Sequence, residues 1–184
     1  MTPRRLAAMV VAMGCALAVV HAAATTIRVR ARVNQGRVLA EFDAPGAWTI
    51  EAREALASGS VVSFQYVVEL RRPSAFWRDT VLGRLSLVAS GKLDILTGAY
   101  TVSRYRDGRV QPPVGSRRQE DEVRDWLTNF EPFEITPDSE LKPNTDYYVQ
   151  VRLYTAPRAT ISVWSILPFG RDDGSGRGEF TYIR

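Results

Sequence analysis

Through most of its length the chain places an apolar residue at every second position. Ile27, Val29, Ala31 and Val33 alternate with Arg28, Arg30 and Arg32, and past Gln35-Gly36 a second segment runs from Val38 to Phe42. A period of two marks a strand with one face buried. The two segments therefore read as strands joined by a turn. Their arginines form either a solvated row or a binding stripe for an anionic surface. The strongest alternation lies between Val61 and Arg72. Val62, Phe64, Tyr66, Val68 and Leu70 share one face, with Ser63, Gln65, Glu69 and Arg71 opposite. Burying five such side chains contributes about 1.5–3 kcal/mol each, which makes this strand a core member. Val61 and Val67 in its outer row predict partial cover by a helix.

Val81–Ser90, Lys92–Leu96 and Ala99–Tyr105 read as further strands, punctuated by Gly91 and Gly98. Asp107-Gly108 is a two-residue hairpin signal of the primed type, and Pro112-Pro113 is expected to end that hairpin. Two short helices interrupt the strands. Thr49 caps one that reaches Ser58, with Gly59 as its stop. Ser116 and Gln119 fit a capping box for the other, which runs to about Asn129 with Val123, Trp126, Leu127 and Phe130 on one face. Trp126 is expected to be a packing anchor. Glu120-Asp121-Glu122 opens this helix, where the dipole favours negative charge without any metal. Phe133–Thr136 reads as a short strand. Thr160–Leu167 alternates around Trp164, another expected packing residue. Gly170–Gly178 reads as a flexible loop before a last strand at Glu179–Arg184. Short strands at regular spacing with turn residues between them predict a sandwich or barrel.

The stretch from Leu141 to Val151, LKPNTDYYVQV, sharpens that expectation. Pro143 and Asn144 form a turn. Beyond it Tyr147, Val149, Val151 and Leu153 alternate with Tyr148, Gln150, Arg152 and Tyr154. Leu141, Pro143, Thr145, Tyr147, Val149 and Val151 resemble the L-x-P-x-T-x-Y-x-V-x-V run of fibronectin type III domains. The resemblance implies that Tyr147 is a tyrosine corner, its hydroxyl bonding to backbone a few residues upstream. The predicted fold is mainly β: one antiparallel immunoglobulin/fibronectin-III-like β-sandwich with two short α-helices, over residues 25–184.

Residues 1–24 read as a signal peptide. Arg4 and Arg5 precede an apolar run from Leu6 to Val20, and Ala22–Ala24 supply an A-x-A-like cleavage site. The run is short and alanine-rich for a spanning helix, so the expectation is a periplasmic or secreted protein with no integral span after cleavage. Retention as an anchor, or lipidation at Cys15 in the Ala12-Met13-Gly14-Cys15 segment, are the other readings. Cleavage removes Cys15 and His21, the only cysteine and histidine. The exported chain is then left without a thiol nucleophile, a disulfide, histidine catalysis or a Cys/His metal site. Removing Arg4 and Arg5 takes 24 Lys and Arg to 22 against 20 Asp and Glu. A nearly balanced chain gives no reason to expect nucleic acid.

Among candidate sites, the loop Arg71-Arg72-Pro73-Ser74-Ala75-Phe76-Trp77-Arg78-Asp79 stands out. Its two aromatics, among Arg71, Arg72 and Arg78, suit a sugar face, a peptide or a membrane surface. The competing reading, which packing statistics favour, folds Phe76 and Trp77 back to plug one end of the sandwich. An enzyme would have to rest on carboxylates such as Asp79, Asp94 and Asp107 near predicted turns, paired across a cleft. Neither a nucleophile motif nor a base partner is visible, so no catalytic residue is assigned. The weak calcium candidate is Asp172, Asp173 and Glu179 in the Gly-rich segment, which lacks the spaced acids of an EF-hand. No cofactor is expected.

Taken together, Ala55–Gly59, Phe64–Arg71, Trp77 with Asp79, Leu96-Thr97-Gly98-Ala99-Tyr100 and the Leu141–Val151 run resemble a bacterial exported family, domain-of-unknown-function family 4390. Lys92-Leu93-Asp94 and the Gly-rich C-terminal segment depart from the family pattern. The resemblance carries no activity, cofactor or catalytic set. It implies a periplasmic accessory role, with a membrane sensor kinase among the implied partners. The expected function is non-enzymatic binding to another envelope protein, with a carbohydrate- or lipid-binding module as the alternative and a carboxylate-based hydrolase as the third.

Overall fold

A computed structural model describes residues 25–76, 78–155 and 171–183. The expected leader, Trp77, and the predicted strand Thr160–Leu167 with Trp164 lie outside the described residues. So does the side chain of Asp172. In chain order the elements are β1 (Arg28–Asn34), β2 (Arg37–Asp43), α1 (Ile50–Ala57), β3 (Val62–Arg72), β4 (Thr80–Leu93), β5 (Tyr100–Arg106), β6 (Arg109–Arg117), α2 (Glu120–Thr128), β7 (Asn129–Pro137), β8 (Thr145–Thr155) and β9 (Arg171–Tyr182). They form a three-stranded sheet, β1-β2-β7, and a six-stranded sheet, β6-β5-β4-β3-β8-β9. Every pairing is antiparallel. The β-sandwich with two helices is the observed fold.

β3 lies at the centre of the larger sheet, and its predicted face, with Tyr66, Val68 and Leu70 each 0% exposed, is the heart of the core. The hairpin turns at Gln35-Gly36 and Asp107-Gly108 both have positive φ at each central residue, the primed geometry that matches strand twist. In β1 the arginine row is exposed, and two of its three members are paired across the hairpin. Arg28 reaches Asp43 at 3.5 Å and Arg30 reaches Glu41 at 3.1 Å across the hairpin.

Several expectations need correction. Among the described residues no helix covers the outer row of β3, although Val67 in that row is buried. Both helices pack on the inner face, where Leu56 of α1 and Val123 and Leu127 of α2 all lie within 4 Å of where a side chain on Gly91 would sit. Gly91 is therefore not a strand break: β4 runs through it, and the missing side chain lets the helices approach. Pro112 and Pro113 do not end the hairpin, because β6 continues to Arg117 as an edge strand. Proline is tolerated there, and the register shifts beside it between Val102 and Arg104. The capping box at Ser116 does not form, since that residue pairs with Thr101 in the β5–β6 ladder. Instead Glu122 accepts from the Arg118 backbone N–H at 3.4 Å.

The largest correction is the Gly-rich segment, which is strand rather than loop. Gly174, Gly176 and Gly178 alternate along β9 and face β1. A Cβ on any of them would fall within 3.0 Å of the Thr25, Ile27 or Val29 carbonyl oxygen. Glycine at every second position is what allows β1 to cross the sheet this closely. Thr25 then donates its backbone N–H to the Asp173 carbonyl at 2.9 Å, joining the two sheets.

Two polar locks complete the scaffold. The Tyr147 hydroxyl accepts from the Lys142 backbone N–H at 2.7 Å, the contact expected of a tyrosine corner. The carbonyls at the end of α2 are satisfied by tertiary partners: Tyr66 donates to Leu127 at 2.9 Å and Arg104 to Trp126 at 3.0 Å and to Asn129 at 2.5 Å. The Ala44 N–H reaches Thr128 at 2.9 Å. Trp126 does pack, half-buried, with the Arg104 guanidinium 4.3 Å from its ring centre and that of Arg117 at 5.0 Å.

Candidate interaction site

The loop between β3 and β4 leaves the sheet after Arg72 and returns at Thr80. Its closing residue, Asp79, ties it down. One carboxylate oxygen accepts from the Ser74 backbone N–H at 3.1 Å, which closes the loop on itself. The other accepts from the Tyr148 hydroxyl, which fixes the loop to β8. The Tyr148 hydroxyl and the Ser74 N–H, in that order, hold the Asp79 carboxyl below the usual carboxylate range. Burial, then the bond to Asp79, raises the Tyr148 hydroxyl, so it stays a neutral donor.

Beneath the loop lies an ion network on the outer face of the sheet. Glu69 is buried at 6% exposure and accepts from Arg71 at 2.7 Å, with Arg84 at 3.7 Å. Burial works to lower the Arg71 guanidinium, but the Glu69 carboxylate outweighs it and leaves the group raised. The Arg177 guanidinium stacks 3.7 Å from the centre of the Tyr148 ring and bonds Glu179 at 2.9 Å.

The predicted site residues separate on this frame. Arg71 is half-buried, and its guanidinium compensates the buried Glu69 carboxylate. Arg72 is half-buried at the end of β3, and Arg78 is exposed on the loop. Phe76 is 96% exposed, so it does not fold back to plug the sandwich. Asp79 braces the loop through the Ser74 N–H and the Tyr148 hydroxyl. Tyr148 and Arg177 are the contributors that sequence reasoning missed. Their signal was present, because both occupy outward positions of alternating strands, but only the fold sets them beside Asp79.

The other candidates do not converge. Asp79 precedes β4 and Asp94 follows it, at opposite ends of a strand about 45 Å long. Each spends its carboxylate on backbone N–H groups, as does Asp107, which accepts from Ser86 at 2.8 Å. Asp173 accepts from the Thr155 backbone N–H at 3.2 Å and also from the Thr155 hydroxyl. Glu179 stands about 20 Å further along the same strand, paired with Arg177. The calcium candidate therefore loses its geometry. No group of three or more metal-ligating side chains occurs among the described residues. Nor, among them, is any helix long and apolar enough to cross a membrane.

Neither a curated protein nor a solved structure matches this chain. A family model described as a domain of unknown function, DUF4390, matches residues 21–159, well over half of the chain. The protein belongs to the DUF4390 family.

Proposed function

We propose that the protein is an exported, non-enzymatic accessory protein that docks on another cell-envelope protein through the β3–β4 loop. A membrane sensor kinase is the partner class the family resemblance implies. The observation that carries this reading is Phe76, 96% exposed at the tip of a loop braced from below by Asp79. A large aromatic kept in water on a fixed loop, with Arg78 beside it, has the composition of an interface anchor. Preorganisation keeps the cost of ordering such an anchor low when it binds. Export by a cleaved leader supplies the setting.

The experiment is crosslinking and affinity capture from the native envelope with wild type and Phe76→Ser. The variant is expected to lose capture of the partner while its unfolding temperature shifts by no more than about 2 °C, as for an exposed site. A partner retained by Phe76→Ser at wild-type yield would refute the loop as the contact.

A further inference from the structure

The six-stranded sheet has an open edge in its middle. β4 pairs with β3 from Thr80 to Gly91, but on its other side β5 pairs only with Leu87–Leu93. The β5–β6 hairpin turns at Asp107-Gly108, and Asp107 ends the ladder. Its backbone N–H donates to the Ser86 carbonyl at 2.8 Å, and its carboxylate accepts from the Ser86 N–H at 2.8 Å. From Thr80 to Leu85 no strand among the described residues pairs with that side of β4. In an antiparallel ladder the groups that point to one neighbour recur at every second residue. Arg84, two before Ser86, therefore directs its backbone N–H and C=O into the open side. The register shift in β4 lies between Gly83 and Val81, beyond Arg84, and leaves that alternation intact. β7 does not fill the edge, because Ile135 and Thr136 lie over the inner face of β4 at Gly83. Six residues of strand give a slot about 20 Å long. It runs from the β5–β6 turn to the β3–β4 loop that carries the exposed Phe76.

We propose that this slot receives an extended, acidic segment of the partner, which adds to β4 as a strand in line with β5. The proposal rests on the reading of the β3–β4 loop as the contact and names what the partner brings to it. An unpaired ladder edge is matched by another extended backbone, which is why the occupant is a peptide strand. The charges around the slot select an acidic one. Arg72 lies opposite Thr80, Arg78 is exposed on the loop, Arg106 ends β5 and Arg109 follows the turn. None of these four takes part in an ion pair among the described residues. Arg106 donates instead to the Glu134 backbone carbonyl at 2.5 Å. The carboxylates nearby are already engaged. Glu69 is held by Arg71 and Arg84, Asp79 by the Tyr148 hydroxyl and the Ser74 N–H, Asp107 by the Ser86 N–H, and Glu134 by Arg37 at 3.3 Å. Glu131 acts on Arg104, further along β5. The same edge of a second copy would bring its own arginines against these, and like charges set opposite each other destabilise a strand pair.

The test selects a random peptide display library on the chain beginning at Thr25, which holds every core residue described, and then measures amide hydrogen exchange with and without the selected peptides. The selected peptides are expected to be acidic, to bind less tightly at high salt and to protect the Arg84 amide, which exchanges freely in the chain alone. Arg84→Pro removes that donor at an edge where proline is tolerated, and should weaken binding about tenfold. Arg84→Gln keeps the donor and should lose less. The exchange measurement on wild type decides the matter even if Arg84→Pro does not fold. Phe76→Ser separates the two readings. Peptides that protect the Arg84 amide and bind Phe76→Ser as tightly as wild type would uphold the strand site and remove the loop as anchor. Envelope capture lost by Phe76→Ser but kept by Arg84→Pro would uphold the loop and overturn the strand. A selection without binders or without acidic enrichment, or peptides that leave the Arg84 amide exchanging freely, would overturn it too. So would a dimer whose Arg84 amide is protected without peptide, since a second copy would then fill the slot.

Discussion

At the level of single residues, polar locks with named partners hold this sandwich together. Tyr147 is 1% exposed, and its hydroxyl is the acceptor for the Lys142 N–H. Tyr147→Phe removes one hydrogen bond and keeps the ring, so the expected loss is about 1 kcal/mol, read as a fall of roughly 2–4 °C in thermal unfolding. Asp79 makes the loop pH-dependent. Its folded pKa is lowered by the Tyr148 hydroxyl and the Ser74 N–H, so its contribution is present above the unfolded value of about 4 and is lost as pH falls through the lower folded one. Amide exchange at Ser74, corrected for intrinsic rate, should lose protection on acidification below about pH 4, and Asp79→Asn should show low protection at every pH. Protection that stays constant down to the pH at which the whole fold unfolds would contradict this account. The hydrogen bond of Tyr147 was what the fibronectin type III resemblance implied, and the turn and the strand carrying it were legible because turn residues and alternation agree over the whole run. The partners of Asp79 were not, since Tyr148 is 69 positions away in sequence.

Among the elements, α2 and β9 show how far tertiary contacts override local signals. The acidic first turn of α2 was readable, but its C-terminal capping was not, because Arg104 comes from β5 and Tyr66 from β3. Burial lowers the Arg104 guanidinium to about 10, which leaves it charged at neutral pH and stacked 4.2 Å from the Phe130 ring centre. Arg104→Met keeps the apolar stem but strands the Trp126 and Asn129 carbonyls, an expected cost of about 2–4 kcal/mol in chemical denaturation. In β9, Gly-Ser-Gly-Arg-Gly looks like slack chain when composition alone is considered. Its real signal is the period of two, each glycine accommodating a carbonyl of β1. Gly176→Ala must push β1 away and is expected to lower stability by at least about 3 kcal/mol or prevent folding. Ser175→Ala, exposed on the same strand, should be nearly neutral.

For the whole molecule, the two sheets and both helices share one core, from Ile27 to Tyr182, so the chain from Thr25 should unfold in a single cooperative transition. Removing β1 would uncover the glycine face of β9, and a chain beginning at Asn34 is expected to aggregate or bind a hydrophobic dye. Period-two alternation, the Asp107-Gly108 turn and the Thr49 cap were enough to establish the β class, the strands β1, β2, β3, β5 and β8 and the first helix, because each is a local property of neighbouring residues. The assignment of two strands as six-stranded-sheet edges, the burial of Glu69 beneath Arg71 and Arg84, and the exposure of Phe76 and Leu96 were decided only when the sheets came together. The physical reason is that burial belongs to pairs of surfaces. An aromatic on a loop has the same local sequence whether it packs or projects, and only the completed core determines whether there is room for it inside.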